Sequence, residues 1–200
     1  MSERGVADPP LVRHLEGHLG PLRSGRRLPP PAGGGAAPPL YVAEFADRPA
    51  AGAVTLATLG LSERVLEQEG GDGIRQELLF CFYRRPDQQD LERLLLSVAE
   101  ELLAGGRALA ARSLLGPHGP LLPGVGVEAL YATAPVYFPD SLAALREVEP
   151  PVVFVWLVPV TAAEAAFIAR RGGEAFEGLL EELDPDLLDL EREGIVPPGG

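Results

Sequence analysis

The chain contains no lysine and no asparagine, and it has one cysteine, one methionine and one tryptophan. The lone Cys81 excludes an intramolecular disulfide framework and a metal centre built from several thiolates. All 17 basic residues are arginine, and against 29 acidic residues they leave a net charge of −12. General binding to a phosphate backbone needs a basic surface, so nucleic acid is not an expected partner. Long apolar runs are missing as well. The longest, Val152 to Val158, stops at Pro159, far short of the roughly 20 residues that span a bilayer. Residues 1–10 carry Glu3, Asp8 and two prolines but no apolar stretch, which argues against a secretory signal. The expectation is a cytoplasmic protein without membrane contact.

What is there is globular in composition: 200 residues, 46% apolar and 23% charged. A chain of this length can bury roughly 70% of its unfolded surface. The segment 20–39 breaks the composition with Pro21, Pro29, Pro30, Pro31, Pro38, Pro39 and the triplet Gly33–Gly35. Proline cannot donate to a ladder, so the segment reads as an exposed loop behind a short amphipathic helix marked by Leu11, Leu15 and Leu19. Strands are expected at 40–45, 54–59, 76–83, 127–133 and 152–158. In 76–83, Leu78, Phe80 and Phe82 take one face while Leu79, Cys81 and Tyr83 take the other. Apolar residues on both faces predict a central strand covered on each side.

Leu91, Leu94, Leu95, Val98, Ala99, Leu102 and Leu103 follow helical spacing, with Asp87 as the expected cap and Gly105 as the stop. Thr161-Ala-Ala-Glu164 is a capping box directly after a strand. A further helix sets Phe176, Leu179, Leu180 and Leu183 on one face and ends near Asp184-Pro185. Strands and helices mix without strict alternation, which predicts a mixed α/β (α+β-like) fold: a mixed sheet flanked by helices. The expected organisation is an N-terminal helix in 1–19, the loop 20–39, the body of a single domain over 40–195, and a disordered tail at 196–200.

Few residues carry catalytic patterns. His14 and His18 have metal-ligand spacing, but a pair does not close a site and surface histidines are the simpler reading. Cys81 reads as core. Gly124-Val-Gly126 matches a dinucleotide fingerprint only superficially, because a turn into a strand follows rather than a helix. The acidic run Asp184 to Glu191 lacks the glycine and terminal glutamate of a calcium loop. No cofactor and no metal are expected. A hydrolase using carboxylates of 174–193 with His118 is one alternative, and a scaffold docking its partner on 20–39 is another.

Several motifs in order resemble the Suppressor of fused domain family. They are Val54 to Ser62 with its Gly60-Leu-Ser62 turn, Gly70 to Gly73 leading to Glu77-Leu78-Leu-Phe80, and the helix over 91–104. Val152 to Val158 with Pro159-Val-Thr161-Ala-Ala-Glu164, and Asp189-Leu-Glu-Arg192 after Gly172 or Gly173, complete the pattern. The likeness covers about residues 11–195 and is similar to bacterial single-domain members at the opening His14 to Gly20. It implies a non-enzymatic module that grips a protein or an extended peptide through a groove or sheet edge, with toxin sequestration (immunity) as a bacterial role. Gly60, Ser62, Glu77, Pro159, Thr161, Glu164, Asp189 and Arg192 are expected to be structural. Gly60 and Gly73 are expected at positive φ, and Arg192 should pair with Asp189 or with a carboxylate brought near by folding. Asp72, in a polar loop, is the candidate partner contact. Nine acids against Arg192 give 174–193 a net charge of −8, so a basic partner could be steered there.

Overall fold

The computed structural model describes residues 9–27, 39–68, 70–71, 73–117 and 119–196. Among them, helix α1 (Pro9–Leu19) precedes strands β1 (Ser24–Arg27), β2 (Tyr41–Ala46), β3 (Ala53–Leu59) and β4 (Arg75–Tyr83). Helix α2 (Gln88–Gly105) follows, then β5 (Leu114–Leu115), β6 (Val127–Thr133), β7 (Ala144–Leu145) and β8 (Val152–Thr161). Helices α3 (Ala162–Arg171) and α4 (Gly173–Leu183) come last.

One mixed sheet runs β1-β2-β3-β4-β8-β6-β5, and β7 lies beside β8. β4 and β8 pair in parallel, while every other ladder is antiparallel. A parallel pair needs a long crossover, and here α2, β5, β6 and β7 lie between the two strands. The pair sits in the middle of the sheet and is covered on both faces, as the apolar residues of 76–83 predict. One face packs Leu79, Cys81, Phe154, Trp156 and Val158 against Leu11, Leu15 and Leu19 of α1, Ile168 of α3 and Phe176 of α4. The other packs Leu78, Phe80, Phe82, Val155 and Leu157 against Leu91, Leu95, Ala99 and Leu103 of α2.

Several local expectations change. Within 20–39, residues 24–27 form an edge strand rather than loop, because Ser24 to Arg27 fall between the prolines and pair with Tyr41 to Glu44; residues 28–38 lie outside those described. Val196, assigned to a disordered tail, is buried, and 197–200 lie outside the described residues. Asp87 makes no side-chain cap; its carboxylate is taken by Arg85. α2 ends one residue later than expected, on Gly106 at φ 67°. Leu183 is exposed where the helical pattern expected burial, since α4 meets the core mainly through Phe176. Gly73 is not at positive φ. Its requirement is space, as a Cβ there would lie 2.3 Å from Val65 Cγ1.

His14 and His18 are not free surface residues. His18 Nδ1 lies 2.8 Å from the His14 carbonyl oxygen and its Nε2 lies 2.9 Å from Ser141 Oγ. The His14 ring stacks on Phe154 with centroids 5.2 Å apart. Burial lowers the His14 pKa first, and His18 lowers it further. α1 is therefore an integral part of the core. Leu15→Ala should cost about 2–5 kcal/mol, read as a lower urea midpoint with unchanged slope. A loss below about 0.5 kcal/mol would mean that α1 docks superficially.

Candidate functional site

Two buried carboxylates organise the ends of the central strands. Glu77, in β4, is fully buried. The β3–β4 ladder stops at Ala57 and Leu79, and Glu77 reaches past that point into the turn after β3. It accepts hydrogen bonds from Thr58 Oγ1 at 2.6 Å, Gly60 N at 3.0 Å, and Ser62 N and Oγ at 3.0 and 2.6 Å. Thr58 Oγ1 in turn accepts from Leu78 N at 2.8 Å, replacing a ladder bond. Gly60 is required here: its φ is 109°, and a Cβ would lie 2.4 Å from the Pro39 carbonyl oxygen. The motif residues Gly60, Ser62 and Glu77 thus form one cluster. Desolvation pushes the Glu77 carboxyl up to about 7 against the opposing pull of the Ser62 and Thr58 hydrogen bonds.

Glu164 sits beyond the end of β8. Thr161 Oγ1 accepts from Glu164 N at 3.2 Å, and Glu164 Oε2 accepts from Thr161 N at 2.7 Å, completing the capping box. Arg192 forks onto both oxygens at 2.7 and 2.9 Å and donates to the Pro159 carbonyl at 3.1 Å. Ile195 N adds a bond at 3.0 Å. Burial alone would raise the Glu164 pKa, but Arg192 and the two backbone donors outweigh it and hold the carboxyl below its ordinary value. Of the two pairings open to Arg192, folding selects the distant carboxylate. Asp189 instead accepts from Glu191 N at 2.8 Å.

The remaining acids of 174–193 do not gather around one pocket. Glu177 takes Arg112 at 2.7 Å and Tyr131 Oη at 3.0 Å, a bridge between α4 and β6 that sequence spacing gave no means to find. Asp186 takes Tyr83 Oη at 2.8 Å, and Glu191 faces Arg85 at 3.8 Å. His118 and Asp72 lie outside the described residues. Cys81 is buried, with its thiol pushed up to about 12, chiefly by desolvation, which matches a packing role.

A groove opens where β8, paired with β4 on one edge, lacks a neighbour on the other. β6 pairs with β8 from Trp156 onward and β7 with Val152 and Val153, so neither ladder includes Phe154 or Val155. A cavity of about 410 Å³ lies there, lined by Val153 to Val155, Thr133, Ala134 and the segment 107–111. The buried Gln76 amide holds that segment: it donates to the Leu109 carbonyl at 2.8 Å and accepts from Leu109 N at 2.9 Å. Glu67, Gln68 and Ile74, at the base of the loop containing Asp72, line the same cavity.

The architecture is a mixed sheet with helices on both faces, buried carboxylate anchors and a groove beside a central strand. The sequence matches the Suppressor of fused protein (SUFU) family over residues 36–193; the chain belongs to that family. No curated protein matches it. Among solved structures, one described as a SUFU homologue from Neisseria gonorrhoeae FA 1090 is similar, with TM-score 0.76 and 16% identity over 96% of this chain and 98% of that one. A Sufu–Fu complex structure gives TM-score 0.68 and 15% identity, covering 92% and 90%. Drosophila Suppressor of Fused gives 0.59 and 17%, covering 81% of this chain and 44% of that one. At these identities the likeness is one of fold. No described helix is long and apolar enough to cross a membrane.

Two outcomes follow from the anchors. Arg192→Ala leaves Glu164 buried and unpaired, and should destabilise the protein by about 3–5 kcal/mol in urea unfolding; a change under 1 kcal/mol would remove the anchor role. Glu77 binds its proton more tightly in the folded chain than in the unfolded one, because its pKa is raised from 4.5 to about 7. Its contribution to stability is therefore full below the unfolded value and is lost as pH rises through the folded value. The stability of wild type relative to Glu77→Gln should fall by on the order of 3 kcal/mol between about pH 4.5 and pH 8. A flat difference across that range would contradict it.

Proposed function

We propose that the chain is a non-enzymatic protein-binding module that takes an extended segment of a protein partner into the groove beside β8. The observation that carries this reading is the stretch of β8 left outside both neighbouring ladders, set in an apolar cavity beside the segment held by Gln76. The open edge at Phe154 and Val155 offers backbone hydrogen bonding to an added chain, and the cavity walls select its side chains. A structure similar to this one was solved as a Sufu–Fu complex, so a protein of this fold has been captured with Fu.

Asp72 is proposed as a partner contact, because its loop springs from residues that line the groove. The net charge of −12 favours a basic partner through long-range steering, an effect weakened by salt. Sequestration of a toxin in the cytoplasm is the role consistent with such a partner. Ala134 is exposed at the groove wall, so Ala134→Arg fills the site without touching the core. The tagged chain should capture a partner from its native host as a stable complex that neither component turns over. Ala134→Arg should weaken that complex at least about tenfold with an unchanged melting temperature. Equal affinity for the variant would rule out the groove.

A further inference from the structure

A second surface is formed by residues that do not line the groove. Four large apolar or aromatic side chains are exposed around the segment after α4: Tyr83 (40%), Val136 (68%), Tyr137 (36%) and Leu183 (52%). Hydrogen bonds tie the two tyrosines to this segment. Tyr83 N donates to the Leu188 carbonyl at 3.0 Å and Tyr83 Oη to Asp186 at 2.8 Å. Tyr137 Oη donates to the Pro185 carbonyl and accepts from Leu187 N, both at 3.4 Å. Val136 precedes Tyr137 in the turn after β6, and Leu183 precedes Asp184.

The arginines near these side chains are already paired, Arg84 with Glu44 and Arg85 with Asp87 and Glu191. Asp184, Asp186 and Asp189 are exposed, and no ion pair among the described residues involves them. Arg192, the arginine of 174–193, is spent on buried Glu164. Beneath Tyr137 lies Trp156, with centroids 4.8 Å apart. Trp156 is fully buried, and its Nε1 has no hydrogen-bond partner among the described residues.

Tyrosine rings beside unpaired carboxylates suit a guanidinium group, which stacks on an aromatic face while its N–H groups bind carboxylates. A purely aliphatic partner would leave the carboxylates desolvated and unpaired. We infer that the patch formed by Tyr83, Val136, Tyr137 and Leu183 with Asp184, Asp186 and Asp189 docks an arginine-bearing segment of a protein partner. This rests on the protein-binding reading above, but it does not depend on the groove.

The single tryptophan makes the patch measurable, because Trp156 packs directly under Tyr137. The probe is an acetylated, amidated peptide of alternating Arg and Gly, with a Glu–Gly peptide as control. At low salt the Arg peptide should change Trp156 fluorescence saturably, and added salt should weaken the effect. Asp184→Asn, Asp186→Asn and Asp189→Asn together should lower affinity about tenfold or more, as should Tyr83→Leu. Tyr83→Phe, which keeps the ring, should bind as wild type does. No saturable response, equal binding of the Glu peptide, or equal binding by the Asn variant would overturn the inference. If the patch binds the peptide while Ala134→Arg leaves partner capture unchanged, the groove reading fails and this one stands.

Discussion

The parallel pairing of β4 with β8 is the constraint from which most of the architecture follows. A parallel pair cannot be closed by a tight turn, so the chain between these strands must leave the sheet and return. It leaves through α2 and rejoins on the far side of β8 as β5, β6 and β7. Both strands are consequently interior, and each must present apolar side chains to two helical layers. α2 covers one face, while α1, α3 and α4 cover the other. The length and position of every helix are read most simply as what is needed to seal those two faces.

Each of these strands meets a buried carboxylate near one end, and the two are held by different physics. Glu77 is held by uncharged donors from Thr58, Gly60 and Ser62 that do not fully offset its desolvation, so its pKa rises. Glu164 stays ionised against the Arg192 guanidinium, whose fork with the backbone donors outweighs burial, so its pKa falls. An ion pair removed from water gives less net stability than its contacts suggest, yet breaking one partner is costly. The two acids therefore act as positional locks. Glu77 fixes the turn after β3 against β4, and Glu164 fixes the C-terminal segment against the end of β8.

With the turn after β3 and the C-terminal segment held, two surfaces remain available. The groove beside β8 offers unpaired backbone and apolar walls, whereas the Tyr83–Tyr137 patch offers ring faces and carboxylates. Membership of the Suppressor of fused family supplies the fold on which both are built, but a fold does not choose a partner. In the readings proposed above, that choice falls to the side chains lining the groove and to the aspartates after α4.

Much of the scaffold was legible from residue order. Alternation in 76–83 marked a two-sided central strand, the spacing of Leu91 to Leu103 marked α2, and Thr161 to Glu164 announced its own cap, because these signals are local and repeat at the period of the element. Signals that depend on distant partners were not. Asp87 was a plausible cap until Arg85 claimed its carboxylate, and Ser24 to Arg27 read as loop until β2 offered them a ladder. Glu177 carried no pattern at all, since its partners Arg112 and Tyr131 come from elements far away in sequence. The sequence by itself determined the helices, the five longer strands, and that the protein would be acidic, with arginine as its only basic residue besides histidine, and built around an apolar sheet. Tertiary structure alone decided that Arg192 meets Glu164 rather than Asp189, that β8 is left partly unpaired, and that Tyr83 and Tyr137 share one acidic surface. Those outcomes depend on strand order and on which faces the crossovers cover, and neither is encoded in any single stretch of chain.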